Sequence, residues 1–258
     1  MKFAHHILSF FLPQACVSCR IVLPLEDQGP FCPSCLKQIK PLPRSLCTIC
    51  GDPFSHSEIA SHICGECLSD RPHFEWARSV FEWGPPLNQV LHAFKYQGSE
   101  VALSWFCNEM IQAMNEIATK SSFDVLVPVP LHPFRLVRRG FNQSLLLARG
   151  LAQKTGVPVD FKVLIRERHE KPQATGGREE RLRQIKGSFA LEKGANLEGK
   201  RVLLIDDVYT TGATLNECAK VLKRAGAKVS ALTLARTLLH SAAFNVSKKS
   251  LPLTMEGD

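Results

Sequence analysis

The sequence predicts an α/β fold, a parallel sheet with flanking helices, preceded by a small cysteine-rich module. Eight of the ten cysteines occur as Cys-x-x-Cys pairs before residue 68. Beyond residue 70, strand patterns alternate with helical patterns, which is typical of a parallel sheet covered on both faces. We therefore expect a metal-binding domain over residues 1–70, an α/β domain over 71–240 and a poorly ordered tail over 241–258.

Length and composition favour a globular protein with a sizeable core, since 45% of the 258 residues are hydrophobic. The formal net charge of +8 favours anionic partners, such as phosphorylated metabolites or nucleic acid. No apolar stretch approaches the roughly 20 residues that cross a bilayer, so we expect a cytoplasmic protein without a membrane span. We interpret residues 3–12 as a short amphipathic helix rather than a secretion signal, because the apolar patch is short.

The cysteine pairs form two near-equal halves, an internal repeat of the zinc-ribbon kind. Two tetrathiolate sites would use every paired thiol and leave no open position for chemistry, so we expect two structural zinc ions. The predicted ligands are Cys16, Cys19, Cys32, Cys35, Cys47, Cys50, Cys64 and Cys67. Disulfides are the alternative, but they belong to secreted chains. Spacing leaves both sequential and cross-braced ligand pairings open.

Two histidines of the second half of the repeat and the two unpaired cysteines are further candidates for metal binding or nucleophilic chemistry. His56 and His62 lie inside the second half of the repeat, and we expect both to face solvent, because four cysteines complete that site. Cys107 and Cys218 fall in helical patterns and are predicted to be small core residues rather than nucleophiles.

The α/β part begins with a strand at 78–83 and two helices at 87–96 and 101–118. Four more strands of the parallel sheet are predicted at 123–129, 162–165, 201–205 and 228–235. Prolines at 128 and 130 cannot continue a central ladder, so the chain leaves the sheet there, at its carboxyl edge.

The segment after this strand is basic and then helical. Asn142 is a good N-cap for a helix through residues 145–147, which would leave Arg138 and Arg139 beside the crevice. Arginine forks suit pyrophosphate oxygens. The alternative is a surface turn with solvated arginines.

The most informative string is Val-Leu-Leu-Ile-Asp-Asp-Val-Tyr-Thr-Thr-Gly-Ala-Thr at 202–214. A four-residue apolar run without polar alternation indicates a strand buried on both faces, so Asp206 and Asp207 fall at its carboxyl end, where ligands of open α/β sheets bind. A helix then begins, with Gly226 as a candidate C-cap. Free amides and hydroxyls at its start suit a phosphate dianion. The residues concerned are Thr210, Thr211, Gly212, Ala213 and Thr214.

This string resembles the 5-phosphoribosyl 1-pyrophosphate (PRPP) signature of type I phosphoribosyltransferases, with Tyr209 as an atypical member. The resemblance implies that Asp206 and Asp207 hold the ribose hydroxyls, that 210–214 wraps the 5-phosphate, and that PRPP binds with magnesium. Together with the zinc ribbon and His-Ala-Phe-Lys-Tyr at 92–96, it looks like the ComF family over most of residues 12–237.

The family resemblance extends to a mobile hood over residues 166–189. The residues that carry it are Arg166, Gln173, Arg181, Gly187 and Phe189, while Gln184 stands where asparagine is expected. Because Gly-Gly at 176–177 and alternating charges separate two strands, a flexible lid and a merely solvated loop both fit the composition.

Two functions are predicted. The first is a phosphoribosyltransferase of unknown acceptor, linked through the family resemblance to DNA uptake in natural transformation. The second is a catalytically weak adaptor that binds single-stranded DNA or a DNA-uptake helicase, with a candidate phosphate track. That track would comprise Lys162, Arg166, Arg168 and Lys171. An amidophosphoribosyltransferase lacks support, because the chain has no N-terminal nucleophile cysteine or matching domain.

Overall fold

A computed structural model describes residues 14–24, 29–54, 60–97, 99–117, 123–167 and 185–238. The expected helix over 3–12 and the expected tail over 241–258 lie outside these residues. Among the described residues, no helix is both long and apolar enough to cross a bilayer.

Two short helices lie before residue 76, and the described chain after it contains five helices and six strands. The helices are α1 (Pro33–Leu36), α2 (Gly65–Ser69), α3 (Leu87–Gln97), α4 (Glu100–Ile117), α5 (Pro133–Arg139), α6 (Gln143–Thr155) and α7 (Ala213–Arg224). The strands are β1 (Ala77–Glu82), β2 (Val125–Pro128), β3 (Leu164–Arg166), β4 (Phe189–Leu191), β5 (Arg201–Tyr209) and β6 (Lys228–Arg236).

The main sheet has four parallel strands in the order β1-β6-β5-β2. Every residue of β2 and the run 202–205 of β5 are buried, as the absence of polar alternation predicted. One apolar cluster joins α3, α4 and α6 to one face of the sheet, and a second cluster joins α7 and the β3–β4 pair to the other face. The predicted parallel sheet with helices on both faces is confirmed.

The strand expected at 162–165 was placed in the wrong sheet. The structure has β3 at Leu164–Arg166, paired antiparallel with β4 in a separate two-stranded sheet. Val159 still makes a single parallel bridge to Leu126 of β2. Asp160 Oδ1 then accepts the backbone N–H groups of Lys162 and Val163, both at 3.0 Å. This turn takes the chain away from the sheet edge before β3 begins.

The start of α6 and the end of α7 are each fixed by a cap. Asn142 caps α6 as predicted, because its Oδ1 accepts the Ser144 N–H at 3.0 Å. Its Nδ2 also donates to the Val129 carbonyl at 3.1 Å, which ties the start of α6 to the end of β2. Helix α7 ends at Arg224, and Gly226 terminates it as predicted, with a left-handed φ of +86° and its N–H bonded to the Lys223 carbonyl at 3.0 Å.

The ribbon wraps the β1 edge of the sheet. The cysteines at 16, 32 and 35 belong to the apolar cluster on one face, and those at 47, 50 and 67 belong to the cluster on the other face. In the first cluster Trp105 of α4 stacks on Phe81 with ring centroids 5.3 Å apart, and Phe31 meets Trp105 edge-on at 5.3 Å. The ribbon and the sheet therefore share their core.

Candidate functional site

A cavity of about 160 Å³ lies at the carboxyl edge of the sheet, between β5, the end of β2 and helices α3, α5 and α6. Strand β5 extends to Tyr209, so the paired acids lie within the strand and not after it as expected. Asp206 is opposite Thr233 of β6, one residue beyond the Pro128–Ile205 pair. The charged side chains that line the cavity are Lys95, Arg135, Arg139, Arg166, Asp206 and Asp207.

Asp206 is held in a fixed position. Its Oδ1 accepts the Ser144 hydroxyl at 2.8 Å and the Asp207 N–H at 2.9 Å. Burial, and next the charge of Asp207, raise the pKa of Asp206 to about 7. This carboxyl group therefore changes charge near neutral pH.

Asp207 forms an ion pair with Lys95, whose Nζ lies 2.6 Å from Asp207 Oδ2. Lys95 is on α3, which covers one face of the sheet, and its backbone carbonyl accepts Gln143 Nε2 at 3.4 Å. The ammonium is thus fixed at the crevice by both the acid and the helix. The sequence contains this lysine in the string at 92–96, but its isolated position on an amphipathic helix gave no sign of an acidic partner.

The arginines that line the crevice are partly those expected. Arg139 donates to Gln143 Oε1 at 3.1 Å, and its guanidinium lies 5.7 Å from the centre of the Tyr96 ring. Arg138 is exposed and is absent from the cavity lining, whereas Arg135 lines it. The reason is helical geometry: residues four apart on α5 share one face, so 135 and 139 project together and 138 does not.

The loop from Thr210 to Thr214 leads into α7. Gly212 is the N-cap residue with φ +77°, and α7 has no side-chain cap bond. Ala213 N–H meets Thr211 Oγ1 only at 3.4 Å. The amide-rich start of a twelve-residue helix therefore faces the crevice with Thr214 in the lining, an arrangement suited to an anion.

Tyr209 explains why glycine is needed in this loop. A Cβ at Gly212 would overlap the Tyr209 hydroxyl and lie 2.6 Å from ring atom Cζ. The ring is buried and stacked on the Arg236 guanidinium, 4.0 Å from the ring centre. Arg236 in turn donates from Nε to Asp52 Oδ1 at 3.0 Å and from Nη1 to the Cys50 carbonyl at 2.7 Å. The loop 210–214 is therefore supported by the second cysteine knuckle, the turn at residues 47–51 that begins the second half of the ribbon.

The paired cysteines form two clusters of four, 16/19/32/35 and 47/50/64/67. Within each cluster all sulfurs lie within 4.8 Å of one another, which selects the sequential pairing over the cross-braced one. The Cys19–Cys32 and Cys50–Cys64 sulfur distances are 3.6 and 3.7 Å. Four thiolates 2.3 Å from a tetrahedral zinc ion are about 3.8 Å apart, so both clusters fit structural zinc.

The surroundings of the first cysteine in each cluster favour its thiolate form. Burial opposes ionisation of Cys16 and Cys47, but backbone N–H groups of neighbouring residues outweigh it and lower each pKa to about 6. Cys64 N–H donates to Cys47 Sγ at 3.3 Å. His62 lies outside the cluster, stacked on Phe54 at 3.9 Å, and is exposed as predicted; His56 lies outside the described residues.

The two unpaired cysteines are core residues, as predicted. Cys107 and Cys218 are 1% and 0% exposed. Burial raises the pKa of Cys107 to about 11 and that of Cys218 well above its ordinary value. Neither is suited to act as a nucleophile.

The base of the predicted hood is ordered by the β3–β4 pair. Arg166 pairs with Phe189 across the two strands, its guanidinium lies 5.3 Å from the Phe189 ring centre, and it reaches the cavity. Gly187 N–H donates to Glu217 Oε1 of α7 at 2.9 Å. The other hood residues, Gln173, Arg181 and Gln184, lie outside the described residues, as do Arg168 and Lys171 of the phosphate track.

Comparison with known proteins matches both halves of the chain. Residues 7–68 match the family described as "Double zinc ribbon domain", and residues 142–243 match "Phosphoribosyl transferase domain". DNA utilization protein YhgH of Salmonella typhimurium is 34% identical over 88% of this chain and 99% of that protein. Competence protein F of Haemophilus influenzae is 31% identical over 82% of this chain and 91% of that protein. Competence protein ComFC of Bacillus subtilis is 32% identical over 86% and 90%.

Proposed function

The chain belongs to the ComF family of competence-related, phosphoribosyltransferase-like proteins, and on that premise we propose that it binds PRPP with magnesium and transfers the phosphoribosyl group during DNA uptake. The observation that carries the proposal is the juxtaposition at one cavity of paired acids, three arginines, a lysine and a helix N-terminus. Acids suit ribose hydroxyls, and the cationic and amide groups suit phosphates.

Each part of PRPP has a matching group. The 5-phosphate would take the amides and hydroxyls of the loop 210–214. The ribose hydroxyls would donate to Asp206 and Asp207. The pyrophosphate would lie against Arg135 and Arg139, which share a helix face, with Lys95 beside them. In this assignment Arg135 replaces Arg138 of the sequence-based expectation.

The reaction breaks the C1–O bond, and pyrophosphate leaves with the electron pair. A new bond forms between C1 and a nitrogen of the acceptor, which releases its proton to water. Positive charge that builds on the ribose in the transition state would be stabilised by the carboxylates of Asp206 and Asp207. Bound magnesium would neutralise pyrophosphate oxygens and ease their departure, and the crevice suits this ion because its acids offer hard oxygen donors.

The two cysteine clusters would each hold one zinc ion. Because four thiolates complete each shell, these ions would be structural. The second ion would hold the knuckle that accepts Arg236, and so support the phosphate loop from behind.

Isothermal titration of the protein with PRPP and magnesium tests binding directly. We expect a one-site heat signal that is lost in Asp206→Ala, Asp207→Ala. The absence of heat with the wild-type protein would count against the proposal. In a strain deleted for the gene, the wild-type gene should restore transformation, and the folded double variant should not. Full rescue by the variant would favour a non-catalytic role.

A second candidate function, binding of single-stranded DNA, is favoured by one surface feature. Phe161 is 48% exposed, and its ring centre lies 5.6 Å from the Arg149 guanidinium and 5.9 Å from the Lys162 ammonium. An exposed ring near two cations suits a base and its phosphates. Fluorescence anisotropy with a labelled oligothymidine should show affinity that falls with salt and with Phe161→Ala. Phe134→Ala, another exposed phenylalanine, is the matched control.

A further inference from the structure

A second, larger cavity of about 580 Å³ adjoins the crevice, between α3 and the first cysteine knuckle, the turn at residues 16–20 that begins the first half of the ribbon. Trp83, which lines it, directly follows β1 and donates its backbone N–H to the Arg236 carbonyl at 2.7 Å. This cavity is therefore at the same carboxyl edge of the sheet as Asp206. Lys95 lines both cavities, so the two lie side by side. Its volume falls in the range of small-molecule sites.

The first knuckle carries a strained residue, Arg20, that lines this cavity. In both knuckles the residue after the second cysteine donates its N–H to the first cysteine's carbonyl, Arg20 to Cys16 at 2.9 Å and Gly51 to Cys47 at 3.0 Å. Both are left-handed, with φ of +64° and +72°. Among the described residues, Arg20 is the only non-glycine with positive φ.

Glycine at position 20 would satisfy the same turn without strain. A left-handed conformation is unfavourable for a residue with a Cβ, because the Cβ approaches the following carbonyl oxygen. The second knuckle uses glycine at the equivalent position, so the zinc-ribbon fold itself does not need arginine there. Strain that a fold retains without a structural need points to function. The Arg20 side chain lines the cavity, which gives it a role that glycine lacks.

The lining has the chemistry of a nucleobase site. Trp83, His92 and Tyr96 supply aromatic rings, and the last two are 4.6 Å apart. Asn88 Oδ1 is buried and accepts no hydrogen bond from any described residue, so it offers an acceptor to a ligand N–H. Arg20 and Lys95 are donors, and no described lining residue is acidic.

We propose that this cavity binds a nucleobase as the acceptor of the phosphoribosyl group, with Arg20 as the residue that selects it. The proposal rests on the function proposed above. A base has a flat face for the rings, ring N–H or amino groups for Asn88 Oδ1, and carbonyl or ring nitrogen acceptors for Arg20. Lys95 at the boundary places such a base next to the ribose of PRPP in the neighbouring cavity.

Saturation-transfer NMR and equilibrium dialysis with adenine, guanine and uracil, each without PRPP, test the cavity alone. We expect one base to bind and Arg20→Gly to weaken it about tenfold, the size of one lost charged hydrogen bond. The melting temperature of Arg20→Gly should equal or exceed that of the wild type, because the strain is removed. Arg44→Gly, which removes an exposed arginine of the same ribbon, should leave base affinity unchanged.

The outcomes separate this proposal from the proposed function. Unchanged PRPP affinity in Arg20→Gly, measured by isothermal titration, supports separate cavities. Base binding without PRPP binding would refute the proposed function and the acceptor role together, but would leave the nucleobase site in place. If no base binds, or if Arg20→Gly binds it like the wild type, the nucleobase site is refuted. If only oligothymidine binds, the acceptor role is refuted.

Discussion

Replacing Gly212 with alanine tests whether the loop before α7 is the phosphate site. The new Cβ has two consequences in the structure. The left-handed φ of +77° costs a residue with a Cβ about 1–2 kcal/mol. The Cβ also overlaps the Tyr209 hydroxyl and lies 2.6 Å from Cζ, far inside van der Waals contact.

The loop must move, because the ring is held in place. Tyr209 is 6% exposed and stacked on Arg236, and Arg236 is 2% exposed and bonded to the second knuckle. Relief of the overlap therefore displaces the loop amides by on the order of 1 Å. A displacement of that size at a positioning element can cost about a hundredfold. We expect the PRPP dissociation constant of Gly212→Ala to rise by about that factor in isothermal titration.

Gly156→Ala is the matched control. Gly156 also has positive φ, +75°, but a Cβ added there would meet no heavy atom within 4 Å, and it caps the end of α6 opposite to Asn142. It should lose similar stability from backbone strain while binding PRPP like the wild type. If Gly212→Ala also keeps wild-type affinity, the 5-phosphate does not bind at this loop.

Three further predictions concern charge and metal. The pKa of Asp206 is raised by burial to about 7 from 3.8, so the folded state holds more protons between these pH values and loses stability as pH rises through them. Asp206→Asn should therefore have a higher free energy of unfolding than the wild type above pH 7, by at most about 4 kcal/mol. Denaturation measured across pH should show this difference vanish near pH 4, and a pH-independent difference would contradict the assignment. Cys35→Ser and Cys67→Ser should each release one of two zinc ions in a colorimetric assay. Only Cys67→Ser should also weaken PRPP binding, because its cluster supports Arg236. Equal losses of PRPP affinity would refute this coupling between the second zinc cluster and the loop 210–214. Lys95→Met should raise the PRPP dissociation constant about tenfold or more by removing a cation and leaving Asp207 unpaired, and titration giving the wild-type constant would exclude Lys95 from the site.

The sequence was sufficient for features that depend on local pattern. The buried run 202–205, the Asn142 cap and the end of β2 at Pro128 each follow from local backbone or solvation physics, and the structure confirms them. The four-cysteine clusters follow from spacing. Their sequential pairing did not, because spacing alone fits either arrangement; only the folded path brings 16 and 19 to 32 and 35.

Features that depend on tertiary placement were missed. Lys95 and Asp207 are separated by more than a hundred residues, and nothing near either one indicates the other. Arg135 was passed over for Arg138 because the bounds of α5, and hence its inward face, were unknown. The strand at 162–165 was placed in the main sheet because its apolar pattern is that of any buried strand, whereas the turn at Asp160 decides its partner.

The loop departs from the usual signature at Tyr209, and the contacts of this side chain explain the departure. Its ring fills the space between Gly212 and Arg236, and its buried hydroxyl sits beside a permanent cation. Because Arg236 is held by Asp52 and the Cys50 carbonyl, a contact path joins the second cysteine cluster to the proposed phosphate loop. A smaller side chain at 209 would leave the guanidinium buried without its ring and the loop without its support. The ribbon and the sheet are therefore one unit at this point, so zinc bound in the second cysteine cluster would fix the geometry of the proposed anion site.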